Sequence, residues 1–310
     1  MEMNRHWKNE KAKPIRQWDL HLMALPAMLC LLLFAYFPMY GIIIAFKDFA
    51  MRKGIFASPW VGLKHFYTIV SDIFIHRSLY NTVCMSLLRL LLVFPAPILL
   101  ALMFNEVRIS WIKKTFQTIS YFPYFVSWAV VCTMFPIWAD PNTGWMNAFL
   151  QRIGVIREPI VFLAEADMFW GITLILEIWK GTGFSAIIYI AAIASIEQEQ
   201  YEAALIDGAS RLQRIRYITL PGIKGTICML FILQVSGIIG GNFDVSYLLG
   251  NSFNQSKSMI LSSYTYSMGI MNGRFSYATA IGLLTSVVSM AFLIVSNLAV
   301  KKITRTSGLF

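Results

Sequence analysis

The chain has 310 residues, 57% of them hydrophobic and only 14% charged, with a net charge of +10 and a mean hydropathy of +0.61. A soluble domain carries roughly 25% charged residues, so this composition excludes an ordinary water-solvated globule and makes the bilayer the main solvent. The basic excess is spread between apolar runs rather than gathered among aromatic side chains, which excludes a nucleic-acid-binding domain; a positive-inside bias accounts for it.

A helix that crosses a membrane needs about 20 mostly apolar residues. The sequence predicts six, at 20–46, 79–104, 118–138, 168–194, 223–249 and 277–300. The first is too long for the roughly 7–15 apolar residues of a signal peptide core, and no small-residue cleavage site follows it. Residues 1–19 and 301–310 are read as tails and 20–300 as one six-span domain. With the N-terminus inside, the inner segments hold 14 Lys and Arg against 9 in the outer ones. Both termini and the 195–222 segment are therefore expected in the cytoplasm.

Between the spans, Asp140-Pro141-Asn142-Thr143-Gly144 is turn chemistry, and a short helix is expected at about 145–153. Cys30, Cys84, Cys132 and Cys228 each sit in an apolar run without CxxC spacing and read as packing residues. His6, His21, His65 and His76 are scattered, so no metal site is expected.

Within the spans, Glu177 and Lys180 lie three residues apart in the fourth, close enough to pair on one helical face. Ionisable groups at that depth are either structural pairs or pathway residues. Arg89 in the second span reads as an interface or snorkelling residue. Gly237 and Gly241 make a GxxxG in the fifth span, which suits close helix packing within the chain or against a second subunit. At the end of that span, Asn242, Phe243, Asp244 and Tyr247 combine polar and aromatic groups. They suit either a sugar, with its hydroxyls and apolar ring faces, or interfacial anchoring and helix capping.

The segment 195–222 is a polar island in this apolar chain. Ser195–Gln198 and Ser210–Gln213 both fit capping boxes, and Gly208 suits a left-handed helix end. The second helix is expected to place Leu212, Ile215 and Ile218 or Thr219 on one side and Arg211 and Arg214 near the other, with Pro221 stopping it. The pattern Glu202-Ala203-Ala204, Asp207-Gly208, then Ile218, Leu220 and Pro221 resembles the EAA loop of ABC-importer permeases at every defining position, spacing included. Asn81-Thr82, Phe104-Asn105-Glu106 and Gln117–Pro123 extend the resemblance to permeases of binding-protein-dependent oligosaccharide importers, most nearly the polysaccharide or aldouronate branch.

The resemblance implies an all-α integral membrane protein with six transmembrane helices in the type I ABC-importer permease fold, in the bacterial plasma membrane. It implies that the loop is the cytoplasmic coupling helix, which sits in a groove of an ATPase subunit where Glu202 meets a basic residue. The implied partners are a second permease, usually a paralogue, two ATPase subunits that bind ATP and Mg, and an extracellular solute-binding lipoprotein. The chain has no GxxxxGK[ST] phosphate-binding motif, so ATP chemistry by that route is left to a separate polypeptide. Enzyme activity would need a clustered acid/base or metal set, and the sequence has none. The alternatives are a non-sugar solute such as a peptide, or a secondary transporter, which would call for inverted repeats and broken helices at the midplane.

Overall fold

The computed structural model describes residues 15–304, and among them the only β pairing is an isolated antiparallel bridge between Lys47 and Trp60. Four helical stretches are long and apolar enough to cross a membrane without a sharp bend: Leu20–Phe46, Ile73–Glu106, Ala166–Ala194 and Phe275–Lys302. Two more crossings are bent pairs, Ser110–Phe125 with Trp128–Trp138 at 97°, and Arg211–Gly222 with Lys224–Ser236 at 62°. Together they give six spans, numbered here in chain order.

Three of the expected spans are redrawn. The second starts at Ile73, where the Asp72 carboxylate caps the Phe74 N–H at 2.9 Å. The third begins at Ser110 and breaks sharply. Pro123 follows Phe122, Val126 is extended, and Ser127 caps a new helix by accepting from the Val130 N–H. The fifth does not run unbroken to residue 249. Its helix ends at Ser236, a turn follows, and a separate helix spans Phe243–Leu249. Gly241 has φ +62°, the left-handed region, and a Cβ there would lie 2.6 Å from Ile260 Cδ1. The expected GxxxG packing face is therefore absent, because both glycines belong to the turn.

Four five-residue π segments interrupt the α-helical ladder: Leu32–Tyr36, Arg89–Val93, Ile215–Thr219 and Ser267–Met271. The Arg89–Val93 segment precedes Pro95 and Pro97, and Ile215–Thr219 precedes Pro221. Each lies next to prolines that lack the N–H of a regular helix.

Packing is concentrated in three clusters. Near the 195–222 loop, Ala101, Leu102, Ala186, Tyr189, Ile193 and Ile223 join the second, fourth and fifth spans. At the far end, Val131, Cys132 and Phe135 of the third span meet Phe169, Ile172 and Leu176 of the fourth, with Val245 and Leu249. A third cluster joins Ala45, Ile75, Ile239, Leu261 and Tyr277. The first span is largely outside these cores. Its Phe34 and Phe37 are 80% and 76% exposed, a surface that requires an apolar solvent or partner.

The third and fourth spans cross at very short range. A Cβ on Gly183 would overlap the Ser120 carbonyl, so glycine is what admits the crossing. The short helix expected at 145–153 is present as Trp145–Arg152. Asp140 Oδ1 accepts from the N–H groups of Asn142 and Thr143, and buried Asn147 bridges Ala139 and both backbone groups of Ile160. This far-end segment is thus held by side-chain amide and carboxylate bonds rather than by a core of its own.

Candidate functional site

The 195–222 loop folds as two short helices at one end of the bundle. The first, Gln198–Ile206, ends in a left-handed cap: Gly208 has φ +76°, and the Ala209 N–H reaches the Ala204 carbonyl at 2.9 Å. The second starts with a complete capping box. Ser210 Oγ accepts from the Gln213 N–H, and Gln213 Oε1 accepts from the Ser210 N–H at 2.7 Å. The Tyr201 and Thr219 hydroxyls lie 2.9 Å apart and tie the two helices together. Thr219 is buried, and Ile215 and Leu220 pack on the core below.

Two expectations about this loop are corrected. Ser195 does not open a capping box; it ends the fourth span, donating its hydroxyl to the Ala192 carbonyl at 2.7 Å, and Glu197 occupies the N-cap. Leu212 is 78% exposed and does not share the buried side of Ile215. Pro221 lies in the last turn of the helix, which passes through the π segment Ile215–Thr219, ends at Gly222 and bends by 62° into Lys224–Ser236.

Glu202, Ala203, Asp207, Gly208 and Pro221 are exposed, while Ala204, Ile218 and Leu220 are half-buried. Ile206 and Leu212 add apolar side chains to the outer surface at 87% and 78% exposure. Beneath Glu202 lies a cavity of about 570 Å³ lined by Glu106, Arg108, Lys113, Tyr201 and Arg214. The loop therefore presents a rigid, partly apolar, acid-tipped surface with no covering element among the described residues.

A second polar cluster lies among the spans. Glu177 does not pair with Lys180. The Arg89 guanidinium holds it bidentately, Nε to Oε2 at 2.7 Å and Nη2 to Oε1 at 2.5 Å, with side chains only 11% and 9% exposed. Asn242 adds an amide N–H to Glu177 Oε1 at 2.8 Å and caps the Phe243–Leu249 helix through Val245. One carboxylate thus pins the second span, the fourth span and the turn after the fifth. The missed partner was visible in the sequence as an arginine inside an apolar run. Lys180 instead donates to the Tyr124 carbonyl at 2.7 Å, a group freed by the break in the third span, and its ammonium lies over the Tyr124 and Trp128 rings. The Tyr124 ring stacks on Phe184 at 3.9 Å.

Next to this cluster, Phe243, Tyr247 and Tyr266 form an aromatic triangle with centroids 5.1–5.3 Å apart. Asp244 and Tyr247 are exposed. A further far-end contact was not anticipated: Asp72 Oδ2 accepts from both Tyr264 (2.6 Å) and Tyr277 (2.5 Å). Burial pushes the Asp72 carboxyl up, but the bonds from Tyr264, Tyr277 and the Phe74 N–H outweigh it and hold the group below its ordinary 3.8. Burial first, then the bond to Asp72, pushes Tyr264 up to about 12.

Residues 93–305 match the family model of the binding-protein-dependent transport system inner membrane component. The chain belongs to that family. This permease is 41% identical to Protein LplB of Bacillus subtilis, covering 94% of its own length and 91% of the relative's. It is 40% identical to the polygalacturonan/rhamnogalacturonan transport system permease protein YteP of the same organism, covering 96% and 93%. Among solved structures it matches a chain of a bacterial ABC transporter involved in the import of the acidic polysaccharide alginate. The TM-score is 0.87 at 37% identity, covering 94% of this chain and 97% of that one. The permease has the type I ABC-importer fold and works as a membrane-embedded transport component, not as an enzyme.

Proposed function

We propose that this permease forms half of the translocation pathway of an ATP-driven oligosaccharide importer. The observation that carries the reading is the doubly capped, outward-facing loop at 202–221, carried by a chain whose relatives are permeases of polysaccharide transport systems. The loop is the coupling element. Two ATPase subunits bind ATP and Mg, and closure of that pair pushes on Glu202, Ala203, Asp207 and Gly208. Tyr201 and Thr219 keep the two helices from flexing, so the push reaches the fourth and fifth spans as rigid-body motion.

The loop and both termini face the cytoplasm in this reading, as the excess of Lys and Arg on that side implies. The other half of the pathway comes from a second permease, and an extracellular binding lipoprotein delivers the solute at the far end. Residues 20–300 act as one permease unit. Asn242 and Glu177 hold the turn, and Lys180 holds the broken third span. Phe243, Asp244 and Tyr247 face the solute path.

The deciding experiment is binding-protein- and ATP-dependent uptake by the co-purified complex in proteoliposomes, with neutral and uronate-bearing oligosaccharides. Accumulation of one class upholds the proposal. Equilibration without ATP, or uptake unchanged in Glu202→Lys, overturns it.

A further inference from the structure

Beside the Phe243–Leu249 helix lies an open cavity of about 230 Å³. Ser246, Tyr247, Gly250, Gln255, Ser258 and Ser267 supply most of its character, and its lining contains no carboxylate, ammonium or guanidinium. Ser246 and Ser258 are only 4% and 3% exposed. Yet neither of their hydroxyls, nor the side chains of Tyr247, Gln255 and Ser267, hydrogen-bonds any group among the described residues. Unlike the closed-off hydroxyls of Ser78, Thr182 and Ser262, these groups are not sealed from solvent, so they form a cluster of donors and acceptors open to a ligand around one cavity. Gly250 keeps the space clear: a Cβ there would lie 2.4 Å from the Ser246 carbonyl and 3.1 Å from Ser258 Oγ. Tyr247, stacked on Phe243 at 5.3 Å, forms a rigid aromatic wall.

We infer that this cavity is a subsite for one uncharged sugar ring. The inference rests on the oligosaccharide reading above and adds a residue-level preference to it. Hydroxyl and amide groups match ring hydroxyls, which both donate and accept, and the tyrosine face matches the apolar face of a pyranose. A uronate would lose hydration of its carboxylate without gaining a cation. The subsite therefore reads the neutral units of a chain, whatever the charge of its other units.

The test is saturation-transfer difference NMR on the complete importer complex, without the binding protein and without ATP. The probes are the methyl glycosides of glucose, galactose, rhamnose and xylose, with methyl galacturonoside as the charged control. At least one neutral glycoside is expected to show transfer and the uronoside none. Gln255→Ala combined with Ser267→Ala is expected to weaken that binding about tenfold, for the loss of two neutral hydrogen bonds. Tyr247→Leu, which keeps the bulk without the aromatic face, is a second, independent variant expected to weaken it. Transfer from the uronoside equal to that from the neutral probes, no transfer from any probe, or binding unaffected in both variants would overturn the subsite. Because the readout needs neither ATP nor uptake, failure of transport and failure of this site are separate results.

Discussion

Arg89 and Glu177 illustrate how a buried charge is made tolerable. Each is paired through two hydrogen bonds, and Glu177 has a further donor in Asn242. Removing one member strands the other, which costs about 3–5 kcal/mol, whereas replacing both with apolar residues of similar volume is close to neutral. Arg89→Ala is accordingly expected to lower the thermal unfolding midpoint of the purified protein strongly, and Arg89→Met with Glu177→Leu to recover most of the loss. Equal losses in both would mean the pair does not act as a unit. Asp72 gives a pH prediction at the same scale. Folding lowers its pKa, so its contribution is complete above about pH 5 and is lost as pH falls below 3.8 toward the folded value. Tyr264 acts in the opposite sense: folding raises its pKa, so its contribution fades as pH climbs from 10 to about 12. In Asp72→Asn, the acid-side fall in unfolding midpoint between pH 5 and pH 3 is expected to shrink.

At the level of elements, the loop depends on conformation more than on contact. Nothing lies within 4 Å of a Cβ built on Gly208, so its substitution meets no clash, only the left-handed φ. Gly208→Ala is expected to cost about 1–2 kcal/mol locally, seen as faster hydrogen exchange at 204–212, and to weaken co-purification of the ATPase. Gly208→Asn, which tolerates that region, recovers part of both. Gly183→Leu is a different kind of lesion. It drives the third span off the fourth at Ser120 and is expected to expose the 122–128 break to proteolysis. These elements also mark what was legible in the sequence. The Ser210–Gln213 box, the Gly208 cap and the Trp145–Arg152 helix were readable because each is specified by a few adjacent residues. The break in the fifth span was not: Ile238, Ile239, Val245 and Leu249 keep the segment apolar through the turn, so hydropathy reads it as one crossing. The partner of Glu177 was missed because it comes from residue 89, a contact that local spacing cannot express. Ser195 fitted a capping pattern but was already committed to the end of a longer helix.

For the whole molecule, the three clusters put the tightest packing at the two ends of the bundle, joined through the second, fourth and fifth spans. Motion imposed at the loop then has an unbroken helix, Ala166–Ala194 of the fourth span, to carry it to the far end. Spin labels at Ala203 and Gln213 are expected to keep their separation when the assembled importer binds ATP, while labels on this loop and its counterpart in the second permease approach each other. A changing separation within the loop would mean that it bends instead of pushing. The π segment Ile215–Thr219, on the route from loop to span, adds a consequence of its own. Each π segment amounts to one extra residue in a helix, and one residue is about 100° of rotation. The azimuth at which the loop meets its ATPase is therefore set by residue count between Ser210 and Ile223. Deleting a single residue there would leave composition and helicity almost untouched yet turn the loop's outer face by more than a quarter of a revolution. That short stretch acts as the phase setting of the drive shaft, and a permease with intact side chains but the wrong phase would insert without coupling.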